Sequence, residues 1–121
     1  MSMLEILKIL AAAATILTGL YSLARPRAVQ GFTGLAMPGP RGVTEVRAVL
    51  GGAFIGIGAA PLLFHALDGA AAALVVYQAL GIMYLVIAAT RVLGMVLDRS
   101  WVQSNYVSLA TEVVMGVVLV L

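Results

Sequence analysis

The chain has no cysteine, a single histidine and very little charge. Without cysteine there is no disulfide, no thiolate metal site, no iron–sulfur ligation and no thiol nucleophile. One histidine, His65, excludes a multi-histidine metal site and haem held by paired histidines. No serine or threonine has a histidine at matching depth, so a hydrolase triad has no support. Gly51-Gly52 and Gly56-x-Gly58 lie in an apolar run with no preceding strand, which excludes a nucleotide-binding glycine loop. Charged residues make up 10% of the 121, against about 25% in a soluble domain. So little charge could not cover the core of a water-soluble chain.

Apolar residues make up 63% of the chain, with mean hydropathy +1.12. The natural solvent is therefore a lipid bilayer. The pI near 9.4 and net charge of +2 would suggest nucleic acid for a soluble protein. Here the basic residues gather beside one side of the membrane, and no nucleic-acid partner is expected.

Four apolar runs predict spanning helices over about 3–23, 43–67, 70–97 and 102–121, within one integral membrane domain covering 1–121. Membrane-strand alternation is absent. The expected fold is all-α, a four-transmembrane-helix bundle with antiparallel, up-down connections. Ser22-Leu23-Ala24 could pass for a signal-peptide cleavage site, but Glu5 and Lys8 precede the run and Arg25-Pro26 follows it, so the first run is read as a retained span. The 24–42 connection is rich in Gly and Pro and should fold back against the interface. Asp68-Gly69 is a tight turn that makes the second and third helices neighbours. Arg25, Arg27, Arg41 and Arg99 share one side, which is expected to be cytoplasmic in a bacterial inner membrane, with both termini outside. Trp101 and Tyr106 fit an aromatic belt there. No internal repeat is visible, so an inverted-repeat transporter is not supported.

Spacing assigns faces. Glu5, Lys8, Ala12, Thr15, Gly19 and Ser22 fall on one stripe of the first helix, with Glu5 and Lys8 as an interfacial pair. Ala48, Gly52, Gly56 and Ala60 form a small-residue ladder on the second, suited to close contact within the bundle or between copies. Pro61 removes a hydrogen bond and should kink that helix. Tyr77, Gly81, Tyr84, Ala88 and Arg91 share a face of the third helix. Asn105, Ser108, Glu112 and Gly116 share a face of the fourth.

Arg91 and Glu112 are the charges that lie most clearly inside runs. Arg91 sits about 10 Å from the end of its helix and Glu112 about 10–14 Å along the next, so their depths overlap. An unpaired charge at mid-bilayer costs about 2.5–3.5 kcal/mol, which calls for a partner. Glu45 and Arg47 start only slightly shallower. The expected polar network is Glu45, Arg47, Arg91 and Glu112, with Tyr84, Gln78 and Ser108 as lining, serving either a ligand or the packing of the bundle. His65 is read as an interfacial residue.

The segment Gly42-Val-Thr-Glu45-Val-Arg47-Ala-Val-Leu-Gly51-Gly52 resembles the signature of a small bacterial four-helix membrane family known only as a domain of unknown function. Leu50 stands where that family has an aromatic. The helix layout is similar to the broader DoxX-like group. The resemblance implies an integral four-helix protein and brings no activity or cofactor.

Three function classes are compatible with these residues. The first is a non-enzymatic accessory or scaffold protein binding lipid, quinone or a partner helix, as a homodimer or with another membrane protein. The second is a small proton-coupled transporter acting as a dimer, with Glu112 as coupling carboxylate. Small multidrug transporters resemble it in length but carry their carboxylate in the first helix, where this chain has only Glu5. The third is a membrane enzyme, for which catalytic groups are few. No metal is expected.

Overall fold

The structure, a computed structural model, describes residues 1–121. It is all helical, with five helices: α1 (Met3–Ala24), α2 (Pro26–Thr33), α3 (Pro40–Asp68), α4 (Ala70–Asp98) and α5 (Gln103–Val120). All but α2 are long and apolar enough to cross a membrane.

Each boundary has a local cause. Ser2 and Glu5 form a capping box at the start of α1: Ser2 Oγ accepts from the Glu5 amide at 3.1 Å, and Glu5 accepts from the Ser2 amide at 2.9 Å. Glu5 is thus occupied by the helix terminus and makes no ion pair with Lys8, contrary to the expected pairing. Pro26 and Pro40 open α2 and α3 at first-turn positions, where a missing N–H costs nothing. The connection expected over 24–42 therefore contains a helix of its own, ended by Gly34 in a left-handed conformation at φ +73°. Gly69 turns α3 into α4 at φ +87°.

Within α3, Val46–Ala53 is a π-helix. Its wider turn buries Val46 and Gly51, five residues apart, and resets the phase of the rest of the helix, so that Gly58 and Pro61 are the next buried positions. The helix continues through Pro61, and the segment that departs from α-geometry is the one upstream.

α1 packs on α3, α3 on α4, α4 on α5, and α5 returns to α1. Glycine sets two of these contacts. A Cβ at Gly19 would stand 2.6 Å from the Gly51 carbonyl, and one at Gly58 2.9 Å from the Ala12 carbonyl, so α1 and α3 meet backbone to backbone. A Cβ at Gly81 would stand 2.9 Å from the Gly116 carbonyl, the equivalent approach of α4 and α5. The core is small: Ala11, Ala12, Ala73, Tyr77, Leu80, Tyr84 and Leu119. Large apolar side chains such as Leu17, Leu63, Val75 and Val114 are more than half exposed. Outside a membrane that surface would be an aggregation hazard.

Candidate functional site

The short turn 99–102 returns the chain so that late α4 faces early α5. Arg91 and Glu112 meet there. Arg91 Nε donates to Glu112 Oε1 and Oε2 at 3.0 and 2.9 Å, and Nη2 donates to Oε1. Arg91 Nη1 donates to Asn105 Oδ1 at 3.0 Å, and Asn105 Nδ2 donates to the Ser100 carbonyl at 2.9 Å. A continuous polar chain thus runs from the turn to the buried carboxylate. The Glu112 side chain is 9% exposed and that of Arg91 29%. Burying both costs several kcal/mol of hydration per ion, which the multidentate geometry offsets.

The pair forms part of the wall of a cavity of about 490 Å³ bounded by late α1, α2, early α3, late α4 and early α5. Tyr84, Ser108 and Thr111 share its lining with the pair, while Phe32, Leu50 and Phe54 supply apolar wall. Thr15 Oγ1 donates to the Ala11 carbonyl at 2.9 Å, so at the 2.6 Å contact with Tyr84 the phenol is the donor. That bond fastens α4 to α1 beside the cavity. α2 reaches it with Val29 and Phe32, and Val29 is anchored by packing on Met37 and Val46.

The network expected from sequence is divided. Arg91, Glu112, Tyr84 and Ser108 come together on the cavity. Glu45 pairs instead with Arg41 at 3.0 Å on the exposed face of the first turns of α3. Arg47 donates to the Leu23 carbonyl at the end of α1. Gln78 lies toward the opposite end of α4, where it donates to the Val120 carbonyl at 3.3 Å. The reason is rotational for Arg47 and axial for Gln78. Depth alone suggested convergence, but Arg47 lies in the π turn on the α1 side, and Gln78 is more than three helical turns from Arg91. The ladder of Ala48, Gly52, Gly56 and Ala60 faces largely outward: a Cβ at Gly52 or Gly56 would meet nothing within 4 Å. Asn105, on the expected inner face of α5, proved to be part of the ion-pair chain; its position seven residues before Glu112, on the same face, was the available signal.

A family model described as a domain of unknown function, DUF4345, matches residues 3–121. No curated protein and no solved structure matches the chain.

Proposed function

The chain belongs to the DUF4345 family, a domain of unknown function, and from its own residues we propose an integral membrane protein that binds an uncharged amphiphile without catalysing a reaction. In this reading the four long helices form a bundle, successive helices run in opposite directions, and the ends bearing Arg25, Arg27, Arg41 and Arg99 face the cytoplasm of a bacterial cell. The lining of the cavity supports the alternation, since it combines late α1, early α3, late α4 and early α5. Fusing a reporter to the C-terminus tests the orientation; a cytoplasmic signal overturns it.

The observation that carries the ligand is the cavity of about 490 Å³ with a neutralised guanidinium on its wall. A guanidinium has five N–H donors. Glu112 and Asn105 engage three, which leaves two for a ligand acceptor. Glu112 already balances the charge, so a second anion would be repelled while a carbonyl would be accepted. Apolar walls suit the rest of such a molecule. A quinone or an ester-linked lipid has this chemistry. The transporter alternative needs Glu112 to exchange protons, and its engagement by Arg91 through both carboxylate oxygens disfavours that exchange. The accessory role needs a partner, and the outward Ala48–Gly52–Gly56 face is the surface we assign to a partner helix or a second copy.

The test is titration of the detergent-purified protein with a decyl-tailed benzoquinone and, separately, a diacylglycerol. Saturable binding of one of them, lost in Ser108→Phe with the fold intact, is the expected result. Failure of both to bind overturns the proposal.

A further inference from the structure

The other large cavity, of about 450 Å³, lies where the start of α1, the end of α3 and the start of α4 meet, far along the helices from Arg91. Lys8 lines it and is 5% exposed. No ion pair and no hydrogen bond within the protein engages its ammonium: the ion pairs are Arg41–Glu45 and Arg91–Glu112. Nor is the nitrogen sealed in, because no unpartnered side-chain N or O is wholly shut from solvent. Lys8 thus combines near-complete burial, a head with no partner in the protein and a place on the cavity wall.

The wall carries one cation and one carboxylate, Lys8 and Glu5, and no ion pair joins them. Glu5, the acidic residue on the same wall, has one carboxylate oxygen held by the Ser2 amide. His65 Nδ1 lies 3.1 Å from the Tyr77 hydroxyl, so that pair can turn a donor toward a third acceptor. Leu4 and Leu74 provide apolar surface beside these polar groups. Lys8 lies about 8 Å along α1 from its first residue, a depth that a phosphate at the bilayer surface reaches with little intrusion. A buried ammonium is destabilising unless it is paired.

We propose that this cavity is a binding site for a phosphate-bearing group, with Lys8 as its cation and the His65–Tyr77 pair as its hydrogen-bonding wall. Two sources share that chemistry, a phospholipid headgroup and free phosphate. The site does not depend on the ligand proposed for the Arg91 cavity.

The experiment is calorimetric titration of the protein in an uncharged maltoside detergent, with short-chain phosphatidylglycerol in one arm and inorganic phosphate in the other. Binding of the lipid with phosphate silent assigns a lipid site; binding of phosphate assigns a free-anion site; both support the proposal. Lys8→Met should weaken binding about ten-fold or more, as loss of a charge-assisted contact does, and Lys8→Arg should retain most of it. Should Lys8→Met fail to fold, Ala71→Phe, which narrows the cavity and leaves Lys8 in place, is expected to abolish binding. The proposal is overturned when wild type binds neither probe, or when Ala71→Phe binds as wild type does.

Discussion

The α1–α3 and α4–α5 contacts are both built on glycine, yet only one of them carries a buried charge pair. On α1–α3 the backbones touch through Gly19, Gly51 and Gly58, and the cation there, Arg47, is satisfied by a backbone carbonyl at the helix end. On α4–α5, Gly81 and Gly116 allow the same approach, and Arg91–Glu112 is added at depth. Glycine sets how near two helices come. A charge pair also sets their rotation and register, because both ions must be met at once. The α1–α3 contact should therefore fail through steric overlap, and the α4–α5 contact through an orphaned charge.

The largest effect is expected from Glu112→Ala, which leaves the half-buried Arg91 without its counter-ion. A loss of about 2–3 kcal/mol is expected in detergent unfolding, below the full range for a wholly buried pair because Arg91 keeps some exposure and its bond to Asn105, with most of it recovered in Arg91→Met combined with Glu112→Leu. A stable single variant would mean that the pair does not lock α4 to α5. Next come Gly19→Leu and Gly81→Leu, each forced against backbone, with about 1–3 kcal/mol lost. The two interfaces should respond alike, and a much larger loss at either would show that glycine does more there than set spacing. Tyr84→Phe removes the bond to Thr15 and should cost about 0.6 kcal/mol, the average for hydrogen bonds between membrane helices. Gly52→Ala and Gly56→Ala should change monomer stability by less than about 0.5 kcal/mol. Their effect belongs to association: Gly52→Leu should reduce cross-linking between copies if the outward face pairs with itself, and leave it unchanged if the partner is another protein.

The inward faces of α1, α4 and α5 could be read directly. Lys8, Ala12, Thr15, Gly19 and Ser22 are buried at the spacing their sequence announces, as are Tyr77, Gly81, Tyr84 and Ala88. In regular α-helices sequence spacing converts to a face without further information. The pairing of Arg91 with Glu112 was legible for a related reason: a short turn fixes which depths face each other. On α3 the spacing did not identify the residues that contact α1. Its small residues repeat every fourth position, but the π turn at Val46–Ala53 shifts the phase, and Gly51 and Gly58 take the contact instead of Gly52 and Gly56. No residue type announces a π turn. The helix in 26–33 was missed because its polar, glycine-containing sequence reads as a loop until Val29 finds Met37 and Val46.

The sequence by itself determined the four apolar helices, their order and most of their inner faces. These depend on each residue's transfer energy and on the fixed pitch of a helix. Only the tertiary structure decided that Glu45 and Arg47 stand apart from Arg91 and Glu112, and that Lys8 is buried without a partner. Those outcomes turn on the rotation of one helix against another, which arises from contacts among residues far apart in the chain.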